Sequence, residues 1–207
     1  MLPTVAAQFD DKTSQALANL LPLLACGEEA AALAFGRLGR NSRFDICIAR
    51  SLNLIEAEEN VHEELLTMMA TLLPPPQNVQ ASRRAAREFH LQLLGKCPIK
   101  HLARIAAIDA AVCTIFARLT ASGRPLQRDP SVIATLRGIH RDEARHVRIS
   151  RMIALRHGKP MALRDSAAEA REALGKLVAL GAAAFDDLMV DPEQLVRDVS
   201  CLPNGFL

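Results

Sequence analysis

The sequence of 207 residues has no Trp and no Tyr, and aromatic side chains make up only 3% of it. Half of its residues are apolar, and Ala, Leu and Arg dominate. Sheets favour aromatic and β-branched residues, whereas Ala, Leu and Arg favour helices. No segment shows the strict apolar/polar alternation that is typical of a strand. The composition therefore predicts an all-α protein.

Disulfide pairing, a targeting segment and a strong net charge are also missing. The odd number of cysteines and the lack of a CxxC predict reduced core thiols at Cys26, Cys47, Cys97, Cys113 and Cys201. The start, MLPTVAAQFDDK, lacks the basic and apolar regions of a secretory signal, and no run of about 18 uninterrupted apolar residues occurs. The formal charge of +2 selects neither nucleic acid nor an anionic membrane as a partner. We expect a cytoplasmic protein with no membrane association and no nucleic-acid partner.

Prolines and polar breaks divide the chain into helical segments. The predicted helices are Leu21–Leu38, Arg43–Leu73, Ala81–Leu94, Ile99–Ala121, Ser131–His157, Leu163–Leu188 and Pro192–Val199. Four of them are long and amphipathic, which predicts a helical bundle over about residues 20–157. We expect one domain over residues 1–207, with a C-terminal helical extension at about 160–200.

Each of the four long helices has an acidic residue in the middle of its apolar stripe, and two of them add a histidine three residues later. These six residues are Glu28, Glu59, His62, Asp109, Glu143 and His146. A single such acid usually lies at the edge of a helix face, and a single such histidine is usually a hydrogen-bonded core residue. Burying an unpaired ion costs several kcal/mol, against a total stability of about 5–15 kcal/mol. Four buried carboxylates therefore need protons or cations, and two divalent ions offset their formal charge.

The spacing of the two acid–histidine pairs suits metal binding. Residues three apart lie on the same face of a helix, so Glu59 and His62 can ligate one metal while a glutamate bridges to a second one. Glu143 and His146 repeat this arrangement on another helix. One Glu from each of two helices and Glu-x-x-His from each of the other two is the ligand set of four-helix-bundle carboxylate sites.

With E28 and E59-N-V-H62 in one half and D109 and E143-A-R-H146 in the other, the chain resembles the ferritin-like di-iron carboxylate superfamily. The resemblance covers about residues 20–157 and implies a ferritin-like four-helix bundle with two iron ions. Carboxylate-rich sites with one His per metal suit iron or manganese better than zinc. The family generally has Glu where this chain has Asp109, which is shorter by one methylene. Whether Asp109 ligates one metal terminally or not at all therefore stays open.

Two acids that precede the proposed ligands, Glu58 and Asp142, are candidates for a supporting role. In some oxygenases of the family, such residues hydrogen-bond the ligand histidine of the opposite motif and fix its tautomer. A solvated helix flank is the alternative. His140 is a further candidate, because some N-oxygenating members carry an extra His on this helix, although its register differs from the expected one.

The other histidines and the basic runs are expected on the surface. His90, His101 and His157 fit no apolar stripe and are best interpreted as surface or helix-end residues. The arginines of the fourth long helix point largely away from the metal face and form a solvated face or a docking patch for an anionic carrier or RNA. They are Arg137, Arg141, Arg145 and Arg148.

The resemblance implies an enzyme that activates O2 to oxidise a small metabolite, with an external electron donor. Without tyrosine, the chain cannot hold the tyrosyl radical associated with ribonucleotide reductase subunits, and it lacks the rubredoxin-type cysteines of a rubrerythrin. The alternatives are a non-catalytic iron-storage protein, a di-manganese catalase and a tRNA-modifying hydroxylase. A homodimer is compatible with the sequence.

The helices that lie outside the four-helix pattern are expected to cover a substrate pocket near the metals. The candidate lining residues are Ala31, Phe35, Ala106, Val112 and Phe116. Ordinary core packing accounts for the same residues.

Overall fold

The computed structural model describes residues 9–77 and 79–202, and within these ranges it contains helices and no strand. The eight α-helices are α1 (Asp11–Gly39), α2 (Ile46–Ala70), α3 (Val79–Leu93), α4 (Pro98–Leu119), α5 (Pro130–His157), α6 (Pro160–Ala179), α7 (Ala182–Asp187) and α8 (Pro192–Ser200). A short 3-10 turn, Pro125–Arg128, precedes α5. The prediction of an all-α protein is confirmed.

Aspartate caps fix the starts of three of the long helices. Asp10 Oδ1 accepts a hydrogen bond from the Thr13 amide, 2.8 Å away, at the start of α1. Asp45 and Asp129 cap α2 and α5 in the same way. A carboxylate at this position satisfies amides that have no partner within the helix and interacts favourably with the helix dipole.

Two predicted helices differ from the observed ones. The first was expected from Leu21, but α1 starts at Asp11 and contains Pro22 in its interior. The Asp10 cap and the buried apolar residues before Pro22 maintain the earlier turns. The helix expected over Leu163–Leu188 is divided into α6 and α7, and the interruption lies at Leu180 and Gly181.

The long helices pack most extensively as two pairs that are consecutive in the chain, α1 with α2 and α4 with α5. Contacts between α2 and α5, and between α1 and α4, join the pairs. Gly36 leaves room for the Glu56 carboxylate of α2, since a Cβ atom there would overlap this carboxylate. The remaining helices surround these pairs: α3 and α7 contact α1, and α6 contacts α4.

Two hydrophobic clusters form the core, and the acidic residues of the four long helices lie where one cluster gives way to the other. On α1, Ala25 belongs to the first cluster and Ala34 to the second, with Glu28 between them. On α2, Glu59 lies between Ile55 and Leu66 in the same way. The acids of α4 and α5 repeat this arrangement, so a polar layer separates two apolar ones.

The five cysteines are free, as expected, but the prediction that they are core residues is wrong. Cys47 and Cys201 are exposed, and Cys26, Cys97 and Cys113 are partly buried. The apolar runs that contain them also include residues on the flanks of the helices, where a small thiol is tolerated beside solvent.

Helix α1 is long and apolar enough to cross a membrane by length and composition, with a mean hydropathy of 1.3 in its most apolar window. Half of that window is buried inside the protein. The core helix of a soluble protein meets the same criteria, so this property does not distinguish the two cases.

Candidate metal centre

The polar layer contains a cluster of buried side chains that can hold a metal ion. Glu28 from α1, Glu59 and His62 from α2, and Glu143 from α5 each place one potential ligand atom within 4.8 Å of those of the others. All four side chains are at most 5% exposed. Carboxylate oxygens and an imidazole nitrogen converging in an apolar interior form a donor set suited to a divalent cation.

His62 points one ring nitrogen into the cluster and the other away from it. Its Nδ1 lies 3.3 Å from Glu28 Oε2, 3.3 Å from Glu143 Oε1 and 3.5 Å from Glu59 Oε2. Its Nε2 lies 3.5 Å from Oδ2 of Asp142, which is partly exposed. The inner nitrogen is therefore the one available to a cation, while an outer carboxylate orients the ring.

His146 on α5 likewise points one ring nitrogen into the cluster and the other toward an outer carboxylate. Its Nδ1 lies 3.0 Å from Glu59 Oε1 and 3.4 Å from Glu143 Oε1, and its Nε2 lies 2.8 Å from Glu58 Oε2. The two imidazoles are stacked, with ring centroids 5.8 Å apart. Glu59 and Glu143 each contact both histidines, so these two carboxylates occupy the centre of the cluster.

Several buried atoms of the cluster make no well-directed hydrogen bond among the described residues, although Glu59 Oε1 and His146 Nδ1 lie 3.0 Å apart. They are Glu59 Oε1 and Oε2, Asp109 Oδ2, Glu143 Oε1 and His146 Nδ1. Each unsatisfied buried polar atom costs about 1–3 kcal/mol. Concentrating this cost at one place is hard to explain by packing, whereas a bound cation would satisfy these lone pairs directly. The residues therefore fit a metal ion.

The ionisation of the cluster reflects burial and mutual contact. Burial acts to lower the pKa of His62 and of His146, but contacts with Glu143 and the other carboxylates raise these values to about 12 and about 11. Burial raises the pKa of Glu28 well above its ordinary value. Burial acts in the same direction on Glu59, but contacts with His146 and His62 lower its pKa to about 2. A cation bound at Nδ1 of each ring would replace a proton there.

Asp109 on α4 is buried beside this cluster but does not belong to the group of four. Burial raises its pKa well above the ordinary value, and the charges of Glu143 and Glu59 add to the effect. Asp109 is therefore close enough to interact electrostatically with these carboxylates. Its role as a ligand stays a prediction.

Arg145 joins the two outer acids. Its Nη1 donates to Glu58 Oε1 at 3.0 Å and its Nη2 donates to Asp142 Oδ1 at 2.9 Å. Each acid uses its second oxygen for a histidine of the opposite helix, so one guanidinium holds both carboxylates that orient the imidazoles. The contacts expected for Glu58 and Asp142 are thus present, although their effect on a metal stays a prediction.

Arg145 was expected with the solvated arginines of α5, so its role was missed. The signal was available in the sequence, because Arg145 follows Asp142 by three residues and lies on the same face of the helix.

The remaining histidines differ in their placement. His140 is partly buried and does not belong to the cluster. His157 is exposed, as expected. His101 lies in the first turn of α4, at a helix end as expected, but it is not a surface residue, because only 5% of it is exposed. Burial lowers the pKa of His90 and of His101 to about 4, so both are neutral at physiological pH. His90 and His101 both line the cavity described below.

A cavity of about 960 Å³ reaches the cluster from the side of α1 and α4. Glu28, Glu59, Asp109 and Glu143 are among its lining residues. Helices α3, α6 and α7 supply much of the opposite wall, as the prediction of a pocket covered by the extra helices requires.

Of the five lining residues expected from the sequence, Ala31 and Val112 line the cavity. The other three, Phe35, Ala106 and Phe116, are not among its lining residues, and none of them is exposed. For these three, ordinary core packing is the correct interpretation.

No protein-family model, curated protein or solved structure matches the chain. The functional interpretation therefore depends on the geometry of the cluster and of the cavity.

Proposed function

We propose that the chain is a ferritin-like non-haem di-iron oxidase or oxygenase that uses O2 to oxidise a small organic molecule. In this proposal α1, α2, α4 and α5 form the ferritin-like four-helix bundle. The observation that carries the proposal is the convergence of buried carboxylates and two oriented imidazoles at the wall of a large cavity. An isolated structural metal site does not require such an opening.

The proposed ligands divide into two sets around the shared carboxylates Glu59 and Glu143. Glu28 and His62 belong to one metal position, because Glu28 Oε2 lies 3.3 Å from His62 Nδ1. His146 belongs to the other position, with Asp109 as its terminal carboxylate. Iron supplies the one-electron and O2 chemistry that protein side chains lack.

For a hydroxylation, one oxygen atom of O2 enters a C–H bond of the substrate and the other leaves as water. An external reductant supplies the two electrons and solvent supplies the two protons that this balance requires. The chain's own residues bind and orient the reactants: the outer acids hold the imidazoles, and the apolar walls of the cavity exclude water from the cluster.

The size of the cavity favours an organic substrate over O2 or peroxide alone. One water molecule takes up about 30 Å³ in the liquid, and the cavity measures about 960 Å³. This volume lies near the top of the range of about 300–1,000 Å³ that is usual for ligand pockets. The substrates of a catalase and of an iron-storage protein, peroxide and iron ions, are similar in size to a water molecule. Such a protein therefore needs a much smaller cavity.

Metal analysis of the purified protein tests the proposal, followed by optical spectra of the ferrous form after addition of O2. We expect about two irons per chain and turnover with O2 only in the presence of substrate. Many irons per chain would indicate storage, and manganese with peroxide dismutation would indicate a catalase.

The neighbouring acids Glu28 and Glu29 provide a matched pair of variants. Glu28 is buried in the cluster, whereas Glu29 is exposed. We expect Glu28→Ala to lose metal and Glu29→Ala to retain it. Equal metal contents in the two variants would contradict the assignment.

A further inference from the structure

The interior of the cavity is apolar over most of its length. Aliphatic and aromatic side chains from four helices line it, among them Leu24, Ile108, Val112, Leu177, Val178 and Phe185. These residues belong to α1, α4, α6 and α7. A polar metabolite such as a sugar or a free amino acid would leave hydrogen-bonding groups without partners against this wall.

The charged groups of the cavity separate into a buried set and an exposed set. The buried set consists of the acids of the candidate metal centre. The exposed set includes Arg83 and Arg87 of α3 and Arg37 of α1. Buried groups lie at the inner end and exposed ones at the entrance, where three arginines outnumber the one exposed acid, Glu29.

Arg83 and Arg87 are four residues apart and therefore lie on the same face of α3. Neither has an ion-pair partner among the described residues. Both line the cavity together with Cys26 and the exposed Glu29 of α1. Two arginines on one helix face with no ion pair of their own are suited to binding an anion.

Other titratable groups also line the cavity, on the side of α1 and α2 as well as on α3 and α4. Glu29 is exposed, and Glu63 is partly buried and accepts a hydrogen bond from Thr67. His90 and His101 are neutral, so they add no positive charge to the inner wall. The positive charge of the rim is thus supplied by arginines, and α3 carries two of them.

Apolar side chains that are exposed to solvent also stand around the entrance. Leu33 on α1 is 69% exposed, Leu91 on α3 is 60% exposed, and Leu94, directly after α3, is 42% exposed. All three line the cavity. Exposed apolar groups gathered at the opening of an apolar cavity mark a binding surface for an apolar ligand.

We propose that the substrate is an acidic amphiphile, an apolar chain that carries one terminal carboxylate or phosphate. This inference rests on the proposed function, because it names the substrate of that site. The anionic head binds Arg83 and Arg87 at the entrance, and the apolar body extends inward along the walls. The end of the chain remote from the head then faces Glu28 and Glu143, where oxidation takes place.

Binding to metal-free protein tests the inference without using enzyme activity. The probes are dodecanoate, dodecyl phosphate, dodecanol and dodecyltrimethylammonium, each titrated calorimetrically below its micelle concentration. We expect the two anions to bind, the alcohol to bind about tenfold more weakly and the cation not to bind. The tighter of the two anions identifies the head group. Equal affinities for dodecanoate and dodecanol would contradict an anion site.

A pair of charge-matched double variants locates the head group. We expect Arg83→Ala/Arg87→Ala to raise the Kd for the anion about tenfold and to leave the Kd for dodecanol unchanged. The control is Arg84→Ala/Arg148→Ala, which removes two exposed arginines that do not line the cavity. An equal loss in both variants would show non-specific attraction and overturn the assignment.

Ala31→Leu fills the cavity beside Glu28 and should weaken all of the binding probes. If no amphiphile binds although the protein holds two irons, the substrate class is wrong and the proposed function stands. If amphiphiles bind but no metal does, the proposed function is wrong, and the cavity is a binding site for amphiphiles without a metal centre.

Discussion

The two halves of the candidate metal centre differ at two positions, and at each of them one half has a glutamate where the other has an aspartate. The first half, α1 and α2, contributes Glu28 and Glu58, and the second half, α4 and α5, contributes Asp109 and Asp142 at the corresponding positions. Each acid of the second half is shorter by one methylene. Glu28 belongs to the cluster of four, whereas Asp109 does not.

The outer acids show the same trend. Glu58 Oε2 lies 2.8 Å from Nε2 of His146, but Asp142 Oδ2 lies 3.5 Å from Nε2 of His62. A shorter side chain on the same backbone position brings its carboxylate less close to its target. The repeat of chemistry between the halves is therefore approximate, and we expect two metal positions of unequal affinity.

The largest effect is expected where the halves share ligands. Glu143→Ala removes a carboxylate that contacts both histidines, so we expect the metal content to fall from about two ions per chain to nearly none. The same holds for Glu59→Ala. Metal analysis by mass spectrometry measures this content, and circular dichroism shows whether the variant is folded.

Glu64→Ala is the control for both variants, because Glu64 is exposed on the same helix as Glu59. Should a variant fail to fold, Glu143→Gln keeps the shape of the side chain and removes only its charge. Two firmly bound metals in a folded Glu143→Gln variant would disprove that the halves share this ligand.

The next largest effect concerns the residue that joins the halves. Arg145 holds Glu58 and Asp142 together, and changing a residue that supports metal ligands typically lowers metal affinity about 10–100-fold. We expect a loss in this range for Arg145→Ala and partial recovery for Arg145→Lys, which keeps one charged donor. Competition with a chelator of known affinity gives the two dissociation constants.

Arg148→Ala is the matched control, since Arg148 is exposed and lies one turn further along α5. If Arg145→Ala and Arg148→Ala have the same metal affinities as the wild type, the guanidinium contributes nothing to the orientation of the histidines.

Exchanging the lengths of the terminal acids tests the asymmetry itself. Glu28→Asp makes the first half resemble the second, and we expect one of the two metals to bind about tenfold more weakly, the equivalent of one lost contact to a charged group. Asp109→Glu makes the second half resemble the first and should tighten the weaker metal. Stepwise titration with ferrous iron under anaerobic conditions separates the two affinities. If the two metal affinities are unequal in the wild type and remain the same in both variants, the lengths of Glu28 and Asp109 do not cause the difference.

Much of the fold and of the centre is predictable from the sequence, because both depend on local spacing. Apolar periodicity and proline positions locate the long helices, and the i, i+3 spacing of Glu59 and His62 places both side chains on one face. The same reasoning brings Glu143 into the interior. Glu28 and Glu59 lie on different helices, so their separation in the sequence does not predict a contact. Glu28 and His62 can meet because each faces the core from its own helix.

Other features depend on contacts between distant segments and could not be predicted. His101 fits no apolar stripe, yet only 5% of it is exposed, and it lines the cavity together with residues of α1 and α3. The cavity could be expected from the extra helices, but its walls depend on the actual positions of these helices. For this reason Phe35, Ala106 and Phe116 were candidates for the lining, although core packing is the correct one of the two interpretations offered for them.

The smallest effect distinguishes the two outer acids from each other. Glu58→Gln and Asp142→Asn each replace a carboxylate by an amide of the same shape, which contacts the histidine without a charge. Because the contact of Glu58 with His146 is 0.7 Å shorter than that of Asp142 with His62 (2.8 against 3.5 Å), we expect Glu58→Gln to weaken one metal about tenfold and Asp142→Asn to weaken the other about threefold. The same anaerobic titration measures both, and Glu64→Gln controls for the loss of a surface charge. The reverse order of the two losses would mean that the distance between acid and histidine does not determine how firmly each imidazole is held.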